Sequence, residues 1–420
     1  MGGRMRRLAI ILTLLALIAA ACGDDSDTDE TAAEPAAPSE PAEEAPAPAE
    51  PEPAEEPAPE PEPTEAPAEE MPDEEPAAAP DPMAVDLSGV CPDPLVLQTD
   101  WYPSPEHGYA YYLIGDAGEL DAEAGIYTGP LLNTGINLEI RAGGPYLGFQ
   151  PMTTTMQLDD NIHLGWANTD EQVAAFEEVP TIAVAAPFEI NPQILMWNPE
   201  ELSFSSFEEI GESGVTVFHF GGALYVDYMV GAGILNADQL DPSYDGTPAR
   251  FVAANGNYAQ QGFASSEPWF YENALEEWGK PVDYMLVHDS GFEIYAQPMV
   301  IRAGALEELR PCLELVVPIF QQAVLDHYAN HSPTSQLILD IVEQIASSWV
   351  LHPGQMDYSA ATALELGLVG NGPDDIVGNI DEARMERVVQ LLKDVVDGVP
   401  EDLEATDLYT NEFIDPSIGF

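Results

Sequence analysis

Basic residues are what this chain most lacks. Its 420 residues hold 11 Lys plus Arg against 75 Asp plus Glu, a formal net charge of −64. A chain so poor in cations cannot neutralise rows of phosphates, which excludes nucleic acid and anionic lipid as binding surfaces. Cysteine is sparse too: beyond Cys22 only Cys91 and Cys312 occur, and two cysteines do not by themselves make a metal site. The seven histidines are scattered. His327 and His331 stand four apart in HYANH, but the Glu of an HExxH helix is missing and Ser-Pro follows, so the pair reads as a solvent-exposed helix end. No G-x-S-x-G, Walker or Rossmann motif occurs either. Neither a metal nor a cofactor is expected, and an enzyme would need a nucleophile–base pair that is not apparent.

What is present begins with an export signal. Arg4, Arg6 and Arg7 precede the apolar run LAIILTLLALIAA, and small residues lead to Cys22. Residues 1–21 read as a secretory signal peptide. A Cys placed directly after the small residues looks like a bacterial lipobox, whose thiol is acylated; a plain signal peptide with a chance Cys is the alternative. Two or more acyl chains give a stable anchor, so the expected location is the cell surface or periplasm, tethered to the outer face of the plasma membrane. Residues 22–85 carry the lipidated Cys and then a Pro/Ala/Glu-rich spacer with 22 acids and no Lys or Arg. One-signed charge and low hydrophobicity leave such a segment extended and without a core.

Residues 86–420 hold 53 acids against eight basic residues: Arg141, Arg250, Lys280, Arg302, Arg310, Arg384, Arg387 and Lys393. That surface keeps a monomer soluble in a salty exterior. It also makes a side-chain pocket for sulfonate or phosphate hard to build. In an exported protein Cys91 and Cys312 are read as a disulfide, with two buried thiols as the alternative.

Strand and helix signals alternate. LVLQT (95–99), NLEIRA (137–142), IHLGWA (162–167) and TIAVAAPFEI (181–190) read as strands. Between them HGYAYYLIG (107–115), TTTMQLDD (153–160, with Thr as N-cap) and DEQVAAF (170–176) read as helices. The pattern restarts with a helix at 202–211, a strand VTVFHF (215–220), a helix at 221–233, and strands ARFVA (249–253) and VDYMLVHD (282–289). EIYAQPMVIRA (293–303) is extended, and helices follow over 306–330, 335–349 and 383–397. Such alternation indicates α/β units on mainly parallel sheets. Two lobes joined by crossovers near 186–196 and 293–303 resemble a periplasmic-binding-protein fold, type II-like, with a helical C-terminal tail on lobe 1. The expected boundaries are lobe 1 over 86–190, lobe 2 over 191–295, and the rest of lobe 1 with the tail over 296–420. Ligand would sit at the carboxyl ends of both sheets.

TDWYPSPEHGYAYYLIG (99–115) resembles the first strand-to-helix turn of ABC-transporter substrate-binding proteins related to thiamine pyrimidine synthase, where the turn reads D-W-x-P-N-P-x-H-x-G. EIRAGGP (139–145) is similar to the family's second strand and glycine turn, and LYTNEFIDPSIG (408–419) to its C-terminal signature. Ser104 stands where the family has Asn, and the synthase branch's cysteine-rich motif is missing. The resemblance thus implies binding rather than catalysis, with an ABC permease as partner. Relatives in the wider superfamily take pyrimidines, sulfonates, nitrate and taurine.

Candidate ligand contacts follow from position. Trp101 and Tyr102 leave the first strand on a Pro-stiffened turn and can stack on a flat ligand, or one of them packs under the helix. His107, in the first helical turn, could donate to a carbonyl; a surface His is the alternative. Trp166, Asn168 and Thr169 end a strand of lobe 1, and Asn168 or Thr169 also suits a helix cap. In lobe 2, His219, Gly221 and Gly222 lead into a helix whose free N–H groups could bind a carbonyl or an anion. Glu267 and Trp269 lie in the loop SSEPWF, where Glu267 could accept from an amino group; Asp289 ends the last strand of the lobe. The leading reading is a receptor for a small neutral or weakly basic flat solute, such as a thiamine-related pyrimidine. The alternatives are a sensor or partner-binding surface lipoprotein, a sulfonate or nitrate receptor, and an enzyme on the same scaffold.

Overall fold

The computed structural model describes Met83 and residues 85–345 and 347–420. The signal peptide, Cys22 and the spacer up to residue 82 lie outside the described residues. No helix among the described residues is long and apolar enough to cross a membrane.

The first lobe opens with β1 (Leu95–Gln98), a short α1 (Gly108–Tyr112) and a hairpin of β2 (Glu119–Asp121) and β3 (Ile126–Pro130). It continues through β4 (Asn137–Arg141), α2 (Met152–Leu158), β5 (Leu164–Trp166), α3 (Thr169–Ala174) and β6 (Thr181–Ala185). The second lobe contains β7 (Gln193–Trp197), α4 (Phe207–Ser213), β8 (Val217–Phe218), α5 (Leu224–Gly231) and β9 (Leu240–Asp241). It then adds α6 (Ala249–Ala253), β10 (Ala259–Phe263), α7 (Glu267–Asn273) and β11 (Asp283–Leu286). The chain returns through β12 (Met299–Arg302) and ends in α8 (Leu306–Ala329), α9 (Ser332–Ile345), α10 (Pro353–Glu365) and α11 (Glu382–Val395).

Two mixed sheets result, of order β2-β3-β4-β1-β5-β12-β6 and β11-β7-β10-β8-β9. The return strand β12 inserts antiparallel between β5 and β6. In the second lobe β7, the strand that enters it, runs antiparallel between β10 and β11. Each lobe thus accepts one strand delivered by a crossover, which defines an α/β two-lobed fold of the type II order. Parallel pairing, expected to predominate, is confined to β4-β1-β5 and β10-β8-β9.

Burial explains why the central strands read so clearly. All four residues of β1 are buried, and Leu95 and Leu97 join Leu138 and Ile140 of β4 beneath α1 and α8. Burying each such side chain contributes about 1.5–3 kcal/mol. Cys91, just before β1, is bonded to Cys312 on α8, so the entry to the domain is fixed to the tail. α8 and α9 pack on α1; α10 also meets α7, and α11 lies against both α3 and α5.

Three local expectations change. ARFVA is the helix α6, not a strand, and its Arg250 lies 4.1 Å over the Phe218 ring while pairing with Asp241 at 2.8 Å; five residues are too few for periodicity to separate the two states. The N-cap of α2 is Pro151 rather than Thr153, whose N–H and hydroxyl are taken by Glu171. His327 is a buried residue, not an exposed helix end: Gly108 leaves room for its ring, which a Cβ at that position would strike. Burial, with His331 nearby, lowers its pKa to about 4.

The crossovers share a pin. Arg384 of α11 is buried and donates to Glu189 O of the outgoing crossover at 2.6 Å. It also donates to Glu293 O and Ile294 O of the returning one, at 2.7 and 2.9 Å. Its guanidinium lies 3.7 Å over the Tyr295 ring. The rigid planar fork of Arg suits this pattern in a way Lys could not reproduce.

Candidate functional site

Between the lobes lies a cavity of about 260 Å³ that opens into a second of about 390 Å³, with Trp101, Tyr244, Gly246, Ser266, Glu267 and Trp349 in the walls of both. Lobe 1 builds the inner floor. After β1 the chain turns sharply, and the glycine turn that follows β4 cradles it: Gly143 N donates to Trp101 O and Gly144 N to Asp100 O, both at 2.9 Å. Gly144 has φ +57, and a Cβ there would sit 2.9 Å from the Trp101 ring, so glycine is required at this approach.

Trp101 is the hub of the rings. Its centroid lies 6.2 Å from Tyr102, 5.8 Å from Phe149, 6.3 Å from Phe220 of lobe 2 and 6.2 Å from Trp349 of the tail. Trp349 stacks on Tyr102 and its Nε1 donates to Pro103 O at 3.0 Å. Trp101, Tyr102 and Trp349 thus form an aromatic wall of the two cavities, while Tyr109 and Tyr111 of α1 lie in the core. Such faces can stack on a flat solute or meet a cation.

The polar groups divide into those already satisfied and those still free. Asp100 receives Gln297 Nε2 on both oxygens, and His107 Nε2 lies 3.1 Å from its Oδ1. Asn168 Oδ1 accepts from Gln297 N at 2.8 Å. Gln261 is only 5% exposed; its Oε1 accepts from Phe220 N and the Tyr225 hydroxyl, while its Nε2 donates to none of the described residues. Ser104, also 5% exposed, caps nothing with its hydroxyl. Both residues line the inner cavity, so these two polar groups are available at its wall.

Glu267 opens α7, where its Oε2 accepts from Phe263 N at 2.7 Å. Burial pushes its pKa up to about 7, and Glu106 nearby adds to the rise. Glu106 is 8% exposed, and its Oε1 accepts from the Ser265 hydroxyl across the lobes at 2.5 Å.

Of the residues singled out from the sequence, Trp101, Asn168 and Glu267 line the inner cavity, and Tyr102 the outer. His107 is fully buried behind Asp100, its ring 4.7 Å from Trp166, which is itself a core residue. Thr169 is buried and accepts from Tyr295 N, fixing the returning crossover. His219 is held against its own chain, Nδ1 to Phe220 O at 2.8 Å. Gly221 and Gly222 are exposed on the turn before α5, and Asp289 on the turn after β11. Trp269 faces His352 and Gly354 at the junction with α10. None of these eight lines either cavity. The wall residues not foreseen include Asp100, Ser104, Glu106, Tyr244, Gln261, Gln297 and Trp349.

No family model matches the chain, and no curated protein matches it. Among solved structures, one from Bordetella bronchiseptica RB50 aligns with TM-score 0.51 at 11% identity, over 77% of this chain and 96% of that one. Another is the ligand-binding component of an ABC-type import system from Staphylococcus aureus with zinc bound (TM-score 0.48, 12% identity, 77% and 99% covered). A third is the periplasmic aliphatic sulphonate binding protein of Escherichia coli (0.47, 12%, 76% and 92%). Likeness at this identity concerns the fold: a two-lobed α/β protein with a cleft between its sheets.

Proposed function

We propose that this chain is the solute-binding component of an ABC importer, a monomer held outside the membrane by lipid on Cys22, which closes on a small flat solute and presents it to a permease. The observation that carries the reading is the inner cavity itself, where Ser104 Oγ and Gln261 Nε2 stand on buried residues without protein partners. A ligand offering an acceptor to Gln261 and a ring to Trp101 would satisfy both. An aminopyrimidine related to thiamine has that shape and chemistry. The permease and the anchor rest on the turn D-W-Y-P and on the residues before Cys22.

Native mass spectrometry of the folded domain, purified without refolding, tests the reading. A co-purified solute below a few hundred daltons, or a metabolite that shifts Trp emission on closure, is the expected result. A domain that binds no small molecule but captures a partner protein would favour the surface-sensor alternative and end this one.

A further inference from the structure

The wall of the inner cavity carries charge of one sign. Asp100, Glu106 and Glu267 face it, and no Lys or Arg does. Asp100 has its partners in Gln297 and His107. Glu106 does not: one oxygen takes the Ser265 hydroxyl, and the other meets no donor among the described residues although the residue is 92% buried. A carboxylate taken out of water is costly unless it is paired with a cation or takes a proton. Glu106 also weighs on Glu267, whose carboxyl burial has already raised; two acids this close favour a positive charge between them. The rings beside them fit the same occupant, because the faces of Trp101 and Trp349 present negative quadrupoles to a cation.

Resting on the solute-binding reading, we propose that the cleft takes its solute as an organic cation, a planar amidinium- or ammonium-type group held by Glu106 and Glu267 against the rings of Trp101 and Trp349. Gln261 Nε2 and Ser104 Oγ add a donor and a hydroxyl, so the solute carries a hydrogen-bond acceptor beside its positive group. Anions of the sulfonate or nitrate class find no counter-charge here. Among the described residues the cations are spent elsewhere: Arg384 on the crossovers, Arg250 on Asp241, Arg141 on Glu139 and Asp159.

Three benzene derivatives of nearly one shape test this: benzamidinium, benzamide and benzenesulfonate, titrated calorimetrically into the full-length folded protein. The expected order is benzamidinium at least tenfold tighter than benzamide, with benzenesulfonate weakest. Glu106→Gln should erase most of the preference for benzamidinium over benzamide. Glu267→Gln serves as a second variant should the first fold poorly by circular dichroism, and should reduce the preference in the same direction. Equal binding of the three rings, tighter binding of benzamide or benzenesulfonate, binding of none, or an unchanged preference in both variants would each overturn the cation assignment. A neutral or anionic solute found by native mass spectrometry would do the same while leaving the solute-binding reading intact.

Discussion

Gln297 donates through one amide nitrogen to both carboxylate oxygens of Asp100, at 3.0 and 2.8 Å, from a backbone held at φ +50. The returning crossover is thereby attached to the floor of the cleft by a residue in a conformation that non-glycine residues rarely adopt. Gln297→Ala should destabilise the domain by about 2–3 kcal/mol, since it removes hydrogen bonds to a charged group. Gln297→Gly loses the same bonds but suits the backbone, and should be more stable than the Ala variant by about 1 kcal/mol. Urea unfolding of the three proteins checks this, and equal midpoints for the two variants would show that the backbone conformation carries no cost.

Trp101 lines both cavities and is half-buried rather than enclosed in the core. Trp101→Ala should stay folded and lose ligand affinity by about 1–3 kcal/mol, the range for aromatic stacking on flat rings. Trp101→Phe should recover part of that loss. A melting curve and a titration on each protein separate this from packing: an Ala variant that melts much lower but binds normally would place the ring in the core.

The bond between Cys91 and Cys312 spans 221 residues of sequence. Closing so long a loop restricts the unfolded chain, and its removal should cost about 2–5 kcal/mol. Replacing both residues by Ser should lower the melting temperature by several degrees without altering ligand affinity. Two free thiols titrating in the unfolded, unreduced wild type would contradict the pairing.

Acid should at first strengthen this protein. Burial holds Asp170 at about 6 and both Glu171 and Glu267 at about 7, above ordinary carboxyl values. A raised acid binds more protons folded than unfolded, so stability increases as the pH falls from about 8 towards 5. His327 works the other way between its ordinary value and about 4, where the unfolded chain binds the extra proton. His163 and His288, lowered by burial, side with His327, while Glu189, raised by burial, joins the acids. The four acids outweigh the three histidines because neutralising surface acids relieves self-repulsion in the same direction. Below about 4 the trend should reverse, as Asp241, lowered to about 2 chiefly by its bond to Arg250, begins to lose that partner. Melting temperature measured across this range should therefore pass through a maximum near pH 5, and Glu171→Gln should flatten the rise.

The architecture was legible because each lobe is written in apolar runs short enough to be strands. β1, β4, β5 and β6 announced themselves this way, and so did the two extended crossovers. The strand β10 did not: AQQGF places two glutamines in the middle of a sheet, where Gln260 bonds the Tyr271 hydroxyl and Gln261 faces the cleft. The site was legible only where it is local. Trp101 and Tyr102 sit on the turn that announces them, and Glu106 sits on the same turn, disguised as an ordinary acid at a helix start. Trp349 and Gln297 come from the far end of the chain and meet Trp101 and Asp100 only through tertiary folding. His107 and Trp166, expected to reach the ligand, are fully buried and line neither cavity, because the turn after β1 folds over them.

Arg384 holds carbonyls of both crossovers from a helix that lies against both lobes. On the solute-binding proposal, a closure of the cleft would have to bend around this one side chain. Because an apparent dissociation constant is the intrinsic one divided by the fraction of molecules ready to bind, the tail of the chain would then act on affinity from a distance. Under that proposal a change in α11, away from the cavity walls, would raise or lower the concentration at which the cleft fills while leaving the choice of solute untouched.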